Sequence, residues 1–395
     1  MTPQEANQLI SKLAVLLNKQ KGSDIIINAH AHPALKVDGK VRYVKDVMLS
    51  SDDAATIVKC LMSSHQWEKF DRSNEMNFML DYPGVAQFRT NAFKQRGEMG
   101  LVMRLIPKSI PTLEQLKLPE ILKDFALRKR GLILFSGATG AGKSTSLAAM
   151  ISYRNENRSD HIITVEDPIE FIHTNKKSII TQREVGIDTE SYSSAMKSAL
   201  RQAPDVVLVG EIRDADVMHQ AMAFAETGHL VFATVHATTT KLTLERIVNF
   251  FPHEQRDQLM LDLSSNLQAI VTQRLMLHAS GSGRVAAVEV LSNTPHMQLL
   301  IRESRFGEIT DAMSRASLKE GVITIDNYIF DLYEKGEVTF EEALHYVESP
   351  NNFRIRMRTD SKRALPESLK SEVQDWGLEK AAADENEEKT WGTFG

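Results

Sequence analysis

A glycine-rich stretch at residues 137–145, with the sequence GATGAGKST, has the residue types and spacing that hold phosphate groups. An apolar run at 131–135 precedes it and a second one at 147–151 follows, so we predict a strand, a loop and a helix. In such a unit the glycines let backbone N–H groups converge on phosphates, and the helix N-terminus adds partial positive charge. A glycine-rich turn that binds nothing is the alternative, and the flanking strand and helix argue against it.

The residues of this predicted phosphate loop have separate expected contributions. The ammonium group of Lys143 would reach the β and γ phosphates of a nucleotide, and the hydroxyl of Ser144 would bind Mg²⁺. Backbone groups along the loop would bind the other phosphate oxygens. The predicted nucleotide-binding residues are therefore Gly137, Ala138, Thr139, Gly140, Ala141, Gly142, Lys143, Ser144 and Thr145.

Polar side chains follow three further predicted strands, at 161–165, 205–209 and 229–235. Strands that alternate with helices indicate a parallel sheet, and the carboxyl ends of its strands border a ligand crevice. A strand-end acid is often only a helix cap, and a single histidine is more often structural. The recurrence of polar groups after successive strands nevertheless favours a functional site. The side chains expected to meet there are Lys143, Glu166, Glu211 and His236.

The composition restricts the class of protein. A chain of 395 residues with 42% hydrophobic content suggests two domains and some extensions. No apolar run approaches the ~20 residues of a membrane span and the N-terminus lacks a signal-peptide pattern, so we expect a cytoplasmic protein. The single cysteine, Cys60, excludes an internal disulfide and a cysteine-based zinc cluster. The net charge of −5 argues against nucleic acid as a partner.

Residues 1–106 are predicted to form a small α+β domain. Helices are expected at 4–20 and 51–70, with strands between and after them. In the strand at 85–93, alternation places Arg89 on the face opposite Phe88. Three arginines lie at or near the ends of these strands, and from the residues alone the simpler interpretation is that they are solvated: Arg89, Arg96 and Arg104.

The remaining boundaries follow from breaks in the pattern. Prolines at 107, 111 and 119 indicate an interdomain linker at 107–119. The second domain is expected at 120–358, with a helical stretch at 255–275 and further helices towards its end. A charge cluster and the loss of apolar periodicity predict a flexible acidic tail at 359–395.

Four motifs of the second domain resemble those of one family. They are the phosphate loop, the segment ITVEDPIEF at 163–171, the segment at 200–214 and the segment at 227–238. They resemble the Walker A, Asp-box, Walker B and His-box motifs of the secretion and type IV pilus ATPases. The chain is most similar to the PilT/PilU retraction branch, from about Ile10 to Arg358. Where PilT carries an Ala-Ile-Arg-Ser-type segment after the His box, residues 261–268 of this chain resemble PilU.

This resemblance implies a fold and a reaction. The α/β fold would comprise an N-terminal PAS-like α+β domain and a RecA-like P-loop ATPase domain with a helical C-terminal part. The reaction would be hydrolysis of ATP with Mg²⁺. Family usage makes Glu166 the group that activates water and leaves Glu211, with Ser144, to support the metal, although the residues alone leave the two carboxylate roles interchangeable. Further implied catalytic residues are Arg89, Arg96 and Arg104, which would neutralise charge, and His229 and His236, which would sense the γ-phosphate.

The resemblance also implies a biological role and partners. The chain would form a hexameric ring that powers or assists pilus retraction in twitching motility, attached to the inner membrane only through partners. Those partners would be an inner-membrane pilus platform protein and a sister retraction ATPase. The departure at 261–268 leaves a competing hypothesis open, in which the chain is a regulatory or structural ring partner with weak turnover. A GTPase would need an Asn-Lys-x-Asp motif, which the nearest match at 175–178 lacks.

Overall fold

Two β-sheets organise the chain in the computed structural model, which describes residues 1–364 except 38, 108 and 317–319, together with 366 and 369. The first sheet has six strands and the second has seven. Separate clusters of buried apolar side chains pack against each of them. The mixed α/β fold predicted from the sequence is therefore confirmed.

The first sheet is built from the N-terminal elements. In chain order these are α1 (Pro3–Lys19), β1 (Asp24–Asn28), β2 (Ala34–Val37), β3 (Lys40–Tyr43), α2 (Ser51–Cys60), α3 (Ser64–Ser73), β4 (Glu75–Tyr82), β5 (Ala86–Gln95) and β6 (Glu98–Ile106). All strand pairs are antiparallel, in the order β3-β2-β1-β6-β5-β4. On β5, Phe88 and Thr90 are buried and Arg89 points to the other face, as the alternation predicted.

The single helix predicted over 51–70 is wrong, because a new helix begins within it. Helix α2 ends at Cys60 and α3 begins at Ser64. The Ser63 hydroxyl accepts a hydrogen bond from the backbone N–H of Gln66, and the Gln66 side chain accepts one from the backbone N–H of Ser63. This reciprocal cap satisfies donors that a continuous helix would use internally, so it marks a helix start.

The second sheet carries the phosphate loop. Its elements and the helices around it are α4 (Ile121–Ala126), β7 (Gly131–Ser136), α5 (Lys143–Asn157), β8 (His161–Glu166), β9 (Ile179–Glu184), α6 (Tyr192–Ala199), β10 (Val206–Val209), α7 (Ala215–Glu226), β11 (Leu230–Val235), α8 (Thr240–Asn249), α9 (Arg256–Asn266), β12 (Leu267–Leu277) and β13 (Arg284–Ser292). The order is β13-β12-β7-β11-β10-β8-β9, and every pair is parallel except β12 with β13. The predicted parallel sheet is thus observed.

The helix predicted over 255–275 is wrong in its second half. Helix α9 ends at Asn266, and β12 continues directly from Leu267. Pairing with β7 and β13 on both sides overrides the local helical pattern, because the β-branched residues of β12 are buried in the sheet. The edge strand β9 was not predicted at all.

Helices complete the C-terminal part. They are α10 (Pro295–Arg302), α11 (Phe306–Arg315), α12 (Ile325–Glu334), α13 (Phe340–Tyr346) and α14 (Pro350–Thr359). Thr339 caps α13 by accepting a hydrogen bond from the backbone N–H of Glu342. Beyond residue 364 only 366 and 369 are described, so most of the predicted tail lies outside the described residues. Within the described part of the chain, no helix has the length and apolar character to cross a membrane.

The segment after the first sheet is attached to the second one. Leu113 and Leu118 are buried in the same apolar cluster as α4 and α5. Between them, the Lys117 ammonium lies 2.5 Å from the Glu337 carboxylate, which is also 3.2 Å from the His278 ring. The Tyr328 hydroxyl donates a hydrogen bond to the carbonyl of Lys117. The predicted linker is therefore docked along its second half.

Candidate active site

The phosphate loop joins β7 to α5 with a backbone that only glycine accommodates at two positions. Gly137 and Gly142 have φ angles of 148° and 85°. A Cβ atom at Gly137 would lie 2.5 Å from the carbonyl oxygen of Gln273, and one at Gly142 would lie 2.8 Å from its side-chain amide. Strand β12 therefore presses Gln273 against the loop, and the loop turns into the N-terminus of α5 as the sequence predicted.

The Lys143 side chain is held inside this loop. Its ammonium donates hydrogen bonds to the carbonyl oxygens of Gly137, at 2.7 Å, and Ala138, at 3.0 Å. Burial lowers the pKa of Lys143, and the carboxylates of Glu211 and Glu170 oppose that effect. The structure thus places a positive charge under the loop with acidic groups nearby, in a position where phosphate oxygens could replace the carbonyl oxygens.

Four strands end at one crevice of about 270 Å³. Its walls come from the phosphate loop and from the exits of β8, β10 and β11, which are neighbours in the sheet. The predicted side chains that line it are Lys143, Ser144, Glu166, Glu211 and His236. Because parallel strands present their carboxyl ends at one edge, the spacing of these residues in the sequence becomes proximity in space.

Glu211 is oriented by two neighbours in the crevice. The Nε atom of Arg213 donates a 2.7 Å hydrogen bond to Glu211 Oε2, and the His236 ring lies 3.3 Å from Oε1. Arg213 also reaches Asp167, at 3.5 Å. A carboxylate fixed at both oxygens has a defined direction, which suits a group that supports a metal ion or its water.

Glu166 has a different environment from that of Glu211. Burial raises the pKa of Glu166 to about 7. The hydrogen bonds from Thr164 and Gln182 favour the charged form and lower the pKa, but by less than burial raises it. Thr164 donates at 2.6 Å and Gln182 at 3.3 Å, both to Oε1. A carboxylate with a pKa near neutral pH can accept a proton there and release it again, which is what a general base requires.

The resemblance implied that His229 senses the γ-phosphate, and in the single chain His229 is not among the described residues that line the crevice. His229 directly precedes β11 and His236 directly follows it, so the two histidines lie at opposite ends of this strand. The His229 ring bonds to Thr227 and to the carbonyl of Phe224, and it packs against the Phe224 ring. The structure brings only His236 to the acidic groups of the site.

None of the three predicted arginines is among the described residues that line the crevice. Arg104 forms a 2.8 Å ion pair with Asp24, and Arg96 lies exposed in the turn between β5 and β6. Arg89 is half-buried, and one of its guanidinium nitrogens has no hydrogen-bond partner. Burial lowers the pKa of Arg89 while the charges of Glu184, Glu170 and Asp167 raise it, so Arg89 lies within electrostatic range of these acidic groups.

Several residues of the site were not predicted. Gln182 and the buried Glu184 come from β9, and Glu184 accepts a hydrogen bond from the backbone N–H of Ile169. Tyr192 lines the crevice from the start of α6, and burial raises its pKa. The polar segment QRE at 182–184, directly before a turn, is the sequence signal that could have indicated these residues.

The donors present fit Mg²⁺ and a nucleotide. The Ser144 hydroxyl and the Glu211 carboxylate are oxygen donors in the crevice, and Mg²⁺ commonly takes one or two protein oxygens together with waters and phosphates. Among the described residues no cluster of three His, Cys, Asp or Glu side chains could hold a metal alone. A second cavity of about 460 Å³ borders Thr145 and Ser146 and is walled by Leu116 and Leu275, next to the predicted phosphate site.

Comparison with known proteins shows the family to which this chain is similar. The profile of the family described as Type II/IV secretion system protein matches residues 4–345. The type IV pilus ATPase PilU of Pseudomonas aeruginosa is 46% identical over 370 residues, 92% of this chain and 97% of PilU. The type IV pilus retractation ATPase PilT of that organism is 40% identical over 344 residues, 87% of this chain and 99% of PilT.

A solved structure extends the comparison to the fold. The crystal structure of the pilus retraction motor PilT with bound ADP has 38% sequence identity and a TM-score of 0.81, and it covers 87% of this chain and 98% of that one. The higher identity to PilU than to PilT agrees with the resemblance predicted at 261–268. The chain therefore belongs to the type II/IV secretion system protein family and, within it, to the type IV pilus ATPases of the PilT/PilU kind.

Proposed function

We propose that this chain hydrolyses ATP to power or assist the retraction of type IV pili. The observation that carries the proposal is the crevice in which the phosphate-loop lysine meets Glu166 and Glu211, in a chain 46% identical to PilU. The phosphates would lie on the loop residues 137–145, with the Lys143 ammonium on the β and γ groups. The nucleoside would extend past Thr145 into the cavity walled by Leu116 and Leu275.

The metal site follows from the oxygen donors of the crevice. Ser144 and Glu211 would hold Mg²⁺, which supplies positive charge to the β- and γ-phosphate oxygens when bound. Arg213 and His236 keep the Glu211 carboxylate in a fixed direction. Through its contact with Glu211, His236 would respond to the γ-phosphate.

Glu166 would act as the base of the hydrolysis. It takes a proton from a water molecule as the water oxygen bonds to the γ-phosphorus. The bond from that phosphorus to the β–γ bridging oxygen breaks, and ADP leaves with inorganic phosphate. The support for this assignment is the carboxyl's burial and its pKa of about 7, which match the needs of a base at neutral pH.

We further propose a ring of six chains. Residues 1–106 would form a PAS-like domain, 107–119 the linker and 120–358 a RecA-like domain with C-terminal helices. The approach of Arg89 to the acidic loop at 167–170 supports a role for the first domain near the nucleotide. None of the three arginines lines the crevice of its own chain, and in a ring they would be offered to a neighbour's nucleotide: Arg89, Arg96 and Arg104.

The location proposed for the ring is the cytoplasmic side of the inner membrane. Attachment would come only through partners, namely a pilus platform protein and a sister retraction ATPase. Two observations support this arrangement: the described residues contain no helix suited to cross a membrane, and relatives of the chain are pilus ATPases.

The test combines purified protein with cells of the source organism. The purified chain should hydrolyse ATP in the presence of Mg²⁺, and deletion of its gene should leave pili assembled while impairing retraction and surface motility. A Lys143→Ala variant should fail to restore motility. Loss of surface pili in the deletion strain would point to an extension motor instead, and rescue by Lys143→Ala would favour a structural ring partner.

A further inference from the structure

Two hydrogen bonds on Glu166 end on the same oxygen. The Thr164 hydroxyl donates to Oε1 at 2.6 Å, and the Gln182 amide donates to Oε1 at 3.3 Å. Across the described part of the chain, no side chain donates a hydrogen bond to Oε2. Two side chains therefore anchor Oε1, and the backbone N–H of Glu170 also stabilises the ionised carboxylate. Oε2 has no side-chain donor in the crevice that Glu166 lines.

The pairing of β8 with β9 builds this arrangement. Thr164 and Gln182 are direct partners in the parallel register of the two strands. Glu166 lies two residues after Thr164 on the same strand, so both side chains project from the same face. Thr164 is fully buried, and its hydroxyl has no described partner other than Glu166.

Gln182 is held in one orientation by the loop that follows β8. Its Oε1 atom accepts a 2.8 Å hydrogen bond from the backbone N–H of His173, and its Nε2 atom donates at 2.9 Å to the carbonyl of Phe171. Because the backbone N–H must face the amide oxygen, the amide nitrogen has to face Glu166. The loop thus sets the direction of a donor aimed at the carboxylate.

We propose that Thr164 and Gln182 are positioning residues, which hold Oε1 of Glu166 so that Oε2 faces the attacking water. This inference rests on the proposed function, in which Glu166 is the base. Both donors also favour the ionised carboxylate, and without them burial would keep it protonated to higher pH. The other titratable or charged groups that face the crevice are Asp167 and Glu170 on the loop, Lys143, Tyr192, Glu211 with Arg213, and His236.

The test is the pH dependence of kcat at saturating ATP and Mg²⁺. Thr164→Val keeps the shape of the side chain but removes the hydrogen-bond donor to Glu166. The low-pH limb of the kcat–pH profile should therefore shift to higher pH by about one unit. At pH 6 kcat should then fall about tenfold, while KM for ATP stays within about twofold. Thr164→Ser restores a hydroxyl and should restore the wild-type limb. Gln182→Met should move the limb in the same direction but by less, because its hydrogen bond is longer.

Each outcome bears on the inference or on the function beneath it. A Thr164→Val enzyme that loses kcat equally at every pH, or keeps the wild-type limb, overturns the positioning role. A Glu166→Gln variant with wild-type kcat would overturn the proposed base and this inference with it. Nucleotide affinity and melting temperature, measured for every variant, separate these results from a failure to fold.

Discussion

Replacing Glu166 by glutamine should make the protein inactive and more stable at the same time. The carboxyl has a pKa of about 7 in the folded chain against an ordinary value of 4.5, because it is buried. Between pH 4.5 and 7 the folded state keeps a proton that the unfolded state has released. The free energy of unfolding therefore falls as the pH rises through this window. Above pH 7 the whole loss of stability from the buried, ionised Glu166 is present. Moving the pKa from 4.5 to about 7 corresponds to about 3 kcal/mol.

Glutamine stays neutral at all of these pH values, and its amide oxygen can still accept from Thr164 and Gln182. At pH 8 the free energy of unfolding of Glu166→Gln should exceed that of the wild type by up to about 3 kcal/mol, or roughly 5–10 °C in melting temperature. At pH 4.5 the two proteins should have the same melting temperature. Turnover should drop at least about a hundredfold, because the base is absent, while ATP binding persists.

The assay is thermal unfolding without nucleotide at pH 4.5, 6 and 8, with ATP affinity and turnover measured on the same samples. Glu211→Gln is the matched control: it removes an ion pair with Arg213 and should give no gain in stability at high pH. A melting temperature of Glu166→Gln that equals the wild type at pH 8, or exceeds it equally at pH 4.5, would refute the argument from burial.

Three further variants test other parts of the structure. Lys143→Ala removes the ammonium under the phosphate loop, so ATP affinity should fall at least about tenfold in a fluorescent-nucleotide titration; unchanged affinity would contradict the site. Gly137→Ala places a Cβ 2.5 Å from the carbonyl of Gln273, and it should abolish nucleotide binding while the far-UV circular dichroism spectrum of the whole chain stays close to that of the wild type. Arg154→Met breaks a buried 2.7 Å ion pair with Asp160 and should lower the free energy of unfolding by about 3 kcal/mol, as measured in urea.

The sequence predicted best where a local signal and its three-dimensional consequence coincide. The phosphate loop is such a case, because strand, loop and helix are contiguous, and the polar residues after β8, β10 and β11 meet simply because parallel strands end together. The prediction of a helix over 255–275 was wrong in its second half, because the pairing of β12 with two strands distant in sequence decides the structure of those residues. His229 illustrates a different limit, since a motif containing two histidines does not reveal that six strand residues separate them.

Gln182 and Glu184 were missed for a related reason. Both residues lie on the edge strand β9, whose polar residues resemble those of a loop. Their contacts with Glu166 and Ile169 depend on the register between β8 and β9. Register is a property of the pair of strands, so neither segment reveals it alone. The arginines show the same dependence on context, because Arg89 acquires its acidic surroundings only when the first sheet packs near the loop at 167–170.

The docked segment at 112–118 has a mechanical consequence. Since Leu113, Lys117 and Leu118 are fixed to the second sheet and the C-terminal helices, only residues 107–111 can serve as a tether between the two halves. Five residues span at most about 17 Å, and two of them are prolines with restricted φ. This short tether therefore limits how far the first sheet can move relative to the second, and with it the distance over which the arginines of the first sheet could be presented to another chain.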